Sequence, residues 1–78
     1  MNCVKSAKYI EEYKLEIVFD DNKSGIVDLK NVLNQDKREI FRELIDQKKF
    51  SKFSVAMDTV VWENGLDLAP EFLYEMIQ

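Results

Sequence analysis

Of the residues that could do chemistry, carboxylates are abundant and almost everything else is scarce. The chain contains no histidine and one cysteine, Cys3. Without an imidazole nearby, Cys3 lacks the base that activates a cysteine nucleophile. No C-x-x-C pair is present to hold zinc or to exchange disulfides. The paired carboxylates Glu11-Glu12 and Asp20-Asp21 fall in or beside expected turns. A general acid must be buried enough to shift its pKa, and nothing around these pairs points to a pocket. G-x-S-x-G, P-loop and dinucleotide fingerprints do not occur. The sequence therefore assigns no catalytic residue, no metal ligand and no cofactor, and enzyme is the weakest of the function classes.

Three constellations remain. Asp20, Asn22, Ser24, Gly25 and Asp28 stand at places one, three, five, six and nine of a calcium loop of the EF-hand kind. Such a loop needs oxygen ligands at those spacings and a bidentate Glu at place twelve, where this chain has Asn31. Its flanks also read as strands rather than helices, so an ordinary hairpin turn is preferred. The second constellation is a run of bases, Lys37, Arg38, Arg42, Lys48, Lys49 and Lys52, with Phe50 and Phe53 interleaved. Bases could meet phosphates and rings could stack on nucleobases. Glu39, Glu43 and Asp46 lie among them, however, and a solvated face laced with pairs such as Arg42 with Asp46 is the better reading.

The third is the stretch Trp62-Glu63-Asn64-Gly65-Leu66-Asp67-Leu68-Ala69-Pro70-Glu71. As a surface site it would present Trp62, Asn64, Asp67 and Glu71. As structure, Trp62 closes the core, Gly65 permits a positive φ, and Asp67 accepts from free amides at the start of a helix that Pro70 opens. The structural reading is preferred because burial is the commoner fate of a large ring.

The elements that must position these residues follow from periodicity. Tyr13, Leu15, Ile17 and Phe19 alternate with polar neighbours, which reads as a strand with one buried face. Asp21 to Gly25 supplies a turn, and Ile26 to Leu29 resumes the extended pattern, completing a hairpin. Val4 to Ile10 is a more dilute strand of the same sheet. Asp28 can cap a short helical turn with Leu29, Val32 and Leu33 on one face. A clearer helix is expected from Asp36, with Asp36 and Glu39 at capping-box spacing and Ile40, Phe41, Leu44 and Ile45 as its apolar stripe. Lys48 and Lys49 then suit the negative end of its dipole. Phe53, Val55 and Met57 alternate again, and a hairpin turning at Asp58-Thr59 is favoured over one long strand, although Thr is a poor residue for positive φ. The last helix begins at Pro70 and carries Phe72, Leu73, Met76 and Ile77.

The chain has 78 residues, 46% of them apolar and 33% charged, which sets it among folded globular chains. That length accommodates one domain, residues 1–78, and so small a domain gains stability from a partner or a homodimer. Fifteen acidic against 11 basic residues leave a net charge of −4, which disfavours phosphate-driven binding of nucleic acid. No apolar run approaches a membrane span and no leader pattern opens the chain, so a cytoplasmic location is expected. The expected fold is α+β: an antiparallel sheet of four or five strands packed with a central helix and a C-terminal helix.

The pattern W-x-N-G-x-D-L-A-P-E-x-L-Y, here Trp62 to Tyr74, closely resembles the ending of the small bacterial family known as domain of unknown function 2442. Gly25-Ile26-Val27-Asp28-Leu29, Phe41-x-x-Leu44 with Asp46, and Phe50 follow in the family's order, so the resemblance spans the chain. One departure is a shorter link between the strand near Met57 and the one leading to Trp62. The resemblance implies an α+β fold and no established activity. Some members carry a helix-turn-helix, for which this chain leaves no room after the motif helix. Some lie in gene arrangements resembling toxin–antitoxin pairs. The expectation is a non-catalytic protein-binding module, antitoxin-like, with Trp62, Asn64, Gly65, Asp67, Pro70 and Glu71 as candidate interaction residues. The alternative is nucleic-acid association through the Lys37–Lys52 face.

Overall fold

The computed structural model describes residues 2–77. Its N-terminal part is a three-stranded antiparallel sheet of β1 (Val4–Glu11), β2 (Lys14–Phe19) and β3 (Ser24–Asp28), in that order. The period-two pattern sets the burial. Leu15, Ile17 and Phe19 of β2 are fully buried, and Val27 and Gly25 of β3 stand beside Leu15 and Ile17 on the same face. Glu16 and Ile26 share the opposite, outer face. The sheet thus follows the alternation residue by residue, because a slip of one place would turn the whole apolar set into water.

Gly25 is a strand residue, not the bend of a loop. It pairs with Ile17 in an unbroken register. Its lack of a side chain serves close approach instead: a Cβ there would stand 2.8 Å from Ile77 Cβ. The last helix, α4 (Pro70–Ile77), therefore packs over β3 at this position. The turn before Gly25 is a short hairpin closed by Phe19 and Lys23, with Asn22 at φ 69°.

The middle of the chain departs from the expected single helix. A short helix α1 (Lys30–Gln35) comes first, and the Asp28 carboxylate accepts from the Lys30 amide at 3.0 Å. Asp36 closes α1 rather than opening the next helix. Its carboxylate turns onto Arg38, accepting from the backbone N–H at 3.0 Å and from the guanidinium Nε and Nη2 at 3.0 and 2.7 Å. That grip holds Arg38 extended, so α2 spans only Glu39–Arg42. A 3-10 turn follows over Glu43–Ile45, and α3 covers Gln47–Phe50. Asp46 interrupts the run because its side chain caps α3 through the Lys48 amide at 3.0 Å. The expected Arg42–Asp46 pair is not formed, and Arg38–Asp36 is the one salt bridge among the described residues. Of the expected stripe, Phe41 and Leu44 are buried while Ile45 is 38% exposed.

The second sheet is a hairpin of β4 (Phe53–Ala56) and β5 (Thr59–Trp62). The expected hairpin is present, but it turns on Met57-Asp58, one residue earlier than Asp58-Thr59. Both turn residues have positive φ, 53° and 68°. Thr59 is thereby spared a left-handed backbone and starts β5, where it is buried and donates its hydroxyl to the Leu68 carbonyl. The fold is α+β, with five strands divided three and two. One core joins the layers: Phe19 and Val27 from the first sheet, Leu33, Phe41, Leu44 and Phe50 from the helical segment, Val60 and Trp62 from β5, and Leu73 from α4.

Candidate functional site

The end of β5 and the segment after it are shaped by Trp62, Gly65 and Asn64. Trp62 is 2% exposed, and its indole Nε1 donates to the Phe50 carbonyl at 2.8 Å in the interior. The ring lies tilted against Phe50, with centroids 5.7 Å apart, and meets Phe53 near edge-on at 6.1 Å. Beyond it the chain folds back on itself. Gly65 N–H donates to the Trp62 carbonyl, and Trp62 N–H donates to the Leu66 carbonyl. This closure needs φ 92° at Gly65, a conformation that a Cβ opposes. Asn64 ties the loop to the helical segment. Its amide nitrogen donates to the Ile40 carbonyl and to Glu43 Oε1, both at 2.9 Å, while its oxygen accepts from Leu66 N–H at 3.0 Å.

Asp67 does not cap α4. It is exposed, its backbone forms a bridge with Val61, and the helix starts three residues later at Pro70. The Ala69 carbonyl accepts from Leu73 N–H. Asn64 instead supplies the side-chain bonds that hold the turn. Glu71 is exposed in the first turn of α4, where negative charge suits the helix dipole.

Between this segment and α1–α2 lies an open groove of about 470 Å³. Val32, Ile40 and Phe41 form one wall, and Leu66, Leu68 and Phe72 the other, with Gly65, Asp67 and Arg38 also lining it. Phe72 is 41% exposed at the rim. The guanidinium of Arg38 stands 4.9 Å from the centre of the Phe41 ring. Its pairing with Asp36 holds that carboxyl below the usual aspartate range, chiefly through the side-chain bond, and raises the arginine correspondingly. The fold thus brings Arg38, expected within the basic face, to the same groove as Gly65 and Asp67 of the motif.

Phe72 was expected only on the apolar stripe of α4. Phe72 and Leu73 lie about 100° apart on the helix, so one apolar stripe can hold both, and nothing in the sequence marks which of the two is left at the rim. Val32, Ile40 and Leu68 carry no such mark either, since half-burial depends on what packs across from them.

The remaining sequence candidates are spread apart. Lys37, Arg38, Arg42, Lys48, Lys49 and Lys52 are all exposed, but they occupy two links and two short helices. Phe50 is fully buried and offers no stacking face. In the first hairpin, Asp21 accepts from the Lys23 amide at 2.9 Å and from the Tyr74 hydroxyl at 2.7 Å. Among the described residues no three acidic, cysteine or histidine side chains converge on a point where a cation could sit. The Cys3 thiol has a raised pKa, from desolvation first and then from the Asp58 and Asp20 carboxylates, which disfavours the thiolate. No helix of the described residues is long and apolar enough to cross a membrane.

No curated protein and no solved structure matches the chain. The family model described as "Protein of unknown function (DUF2442)" matches residues 4–78, and with that match over nearly its full length the chain belongs to this family.

Proposed function

We propose that this chain is a non-catalytic, cytoplasmic protein-binding module of bacteria, the antitoxin-like member of a gene pair, and that its partner docks in the groove beside the motif turn. The carrying observation is the groove itself: an open apolar trough whose rim residue Phe72 is 41% exposed and whose two sides are joined by the Asn64 bond to the Ile40 carbonyl. Apolar surface left at a rim of charged residues is a feature of protein contact sites. The net charge of −4 favours a basic partner by speeding its approach. The chain has no histidine to activate its one cysteine as a nucleophile, which fits a binding role.

Affinity capture from the native cell tests this reading, using wild type beside Phe72→Glu. A stoichiometric protein partner held by wild type and lost from a Phe72→Glu variant with unchanged melting is the expected result. No stoichiometric partner, or one held equally by both, rejects the groove. A second reading, nucleic-acid association, draws on the exposure of all six basic residues between Lys37 and Lys52. Titration of labelled DNA and RNA at two salt concentrations decides it, since micromolar binding that weakens steeply with salt would overturn the first reading.

A further inference from the structure

The two edges of the three-stranded sheet are built differently. Along β1 the pairing with β2 is interrupted between Val4 and Ser6 and again between Tyr9 and Glu11. Lys5 and Lys8 are exposed on that strand, and Val4 N–H is taken by the Asp58 carbonyl at the tip of the second hairpin. Bulges, lysines and a covering contact are the usual devices that stop an edge from pairing with another chain. Strand β3 has none of them. It pairs with β2 without a register shift from Ser24 to Asp28 and contains no Lys, Arg or Pro.

The hydrogen bonds show which backbone groups that edge leaves open. Lys23 accepts from Phe19 N–H, and Leu29 N–H donates to the Tyr13 carbonyl. Odd-numbered residues of β3 therefore face β2, and by the alternation of an antiparallel ladder Ser24, Ile26 and Asp28 direct N–H and C=O outward. No backbone bond outside the β2 ladder engages these three among the described residues. Their side chains lie on the outer face of the sheet, where Ile26 is 55% exposed.

We propose that β3 is a self-pairing edge, through which two copies of this chain join their sheets antiparallel about a two-fold axis at Ile26. The strand is complementary to itself in that register. Ile26 meets Ile26 of the second copy, and each exchanges both of its outward backbone bonds with the other. Ser24 meets Asp28 at each end, so the hydroxyl can donate to the carboxylate. The two Asp28 side chains stay at opposite ends, and no like charges stand directly across from one another. Continuing the register outward sets Asn22 opposite Lys30, which places the acidic hairpin turn near a lysine. This edge shares no residue with the groove, so the proposal stands independently of the groove reading.

A contact of one short strand per copy is small, and association is expected in the upper micromolar range. Sedimentation velocity of the full chain from about 10 µM to about 1 mM reads the mass directly. The expected result is a rise from one copy to two, with dissociation at least about tenfold easier for Ile26→Lys, where like charges meet at the axis. Because the Ile26 side chain is on the outer face, that variant should keep its circular dichroism. Amide exchange of the wild type supplies a measurement that needs no variant. The Ile26 and Asp28 amides should slow with rising concentration, while those of Gly25 and Val27 should not. A single copy at the highest concentration overturns the proposal. So does a dimer that Ile26→Lys leaves equally tight, or one whose Ile26 amide exchanges at a rate independent of concentration.

Discussion

The three-stranded sheet and the β4–β5 hairpin are both antiparallel and both read from alternating sequence, yet they are held in different ways. In the sheet, Leu15, Ile17, Phe19 and Val27 are buried to 1% exposure or less, and none of them needs a side-chain hydrogen bond. In the hairpin, β4 is mostly exposed, and β5 is kept in place by directed bonds. Trp62 donates to Phe50, Thr59 donates to Leu68, and the Asn64 that follows reaches Ile40 and Glu43. Apolar burial is non-directional and accepts many residues of suitable size. Buried polar groups accept few substitutes, because losing one partner strands the other. The contrast explains why the Trp62–Glu71 stretch looks like a motif while the strands of the sheet look merely apolar.

Trp62→Ala should sharpen the contrast most. It removes a ring from the centre of the core and should cost about 3–5 kcal/mol, enough to unfold or nearly unfold so small a domain. Trp62→Phe keeps most of the packing and strands the Phe50 carbonyl, for a loss of about 1–3 kcal/mol. Urea unfolding measures both. Unchanged melting of Trp62→Ala, with ready iodide quenching of the native indole, would break the comparison.

Gly25→Ala probes the sheet. A Cβ placed 2.8 Å from Ile77 Cβ and 3.0 Å from its Cγ2 must displace α4. The expected cost is about 1–3 kcal/mol by overpacking. Ile77→Gly removes both opposing atoms, so the double variant should lose less than the sum of the two singles in thermal melts.

At the hairpin tip the expected sign reverses. Met57 is 90% exposed with φ 53°, in a turn that favours Asn and Gly. Met57→Asn should raise stability by about 0.5–1 kcal/mol, since Asn enters the left-handed region more easily. A lower melting temperature would show that Met57 makes a contact worth more than its backbone strain.

The smallest effect concerns acid. The Lys23 amide, and then the Tyr74 hydroxyl, hold the Asp21 carboxyl below its ordinary range. A depressed native pKa adds stability that is complete above the unfolded value, near about 3.9, and is lost as pH falls through the lower native one. Tyr74→Phe should therefore melt slightly lower than wild type at neutral pH and converge with it as pH falls, which flattens the acid limb of a melting-versus-pH curve. An unchanged acid limb would mean that the amide alone sets the Asp21 titration.

How much was legible in the sequence depended on how local the cause was. The alternation of Leu15, Ile17 and Phe19 and the Pro70 helix start depend on near neighbours and stand where the pattern put them. The first hairpin turn is present but ends two residues earlier than Asp21 to Gly25, with Ser24 and Gly25 already in β3. The break at Asp46 is equally local in origin, but an aspartate in a helical pattern can face solvent or cap the next turn. The capping-box spacing at Asp36 failed for the same reason, since its carboxylate had a stronger partner two residues on in Arg38. Asp67 stands three residues before α4 opens at Pro70, and its backbone pairs with Val61.

What the sequence determined by itself is the set of elements and which face of each is apolar, because period, turn chemistry and proline act over a few residues. Only the tertiary structure decided what those faces meet. Gly25 reads as a turn residue until α4 is seen to pass above it. Asn64 reads as a turn former until its amide is seen to reach Ile40 and Glu43 across the chain. Arg38 and Asp67 become neighbours of one groove, although the sequence separates them by most of the helical segment and the whole second hairpin. Such meetings rest on packing between distant segments, and no local pattern encodes the distance between two surfaces that touch only when the whole chain has folded.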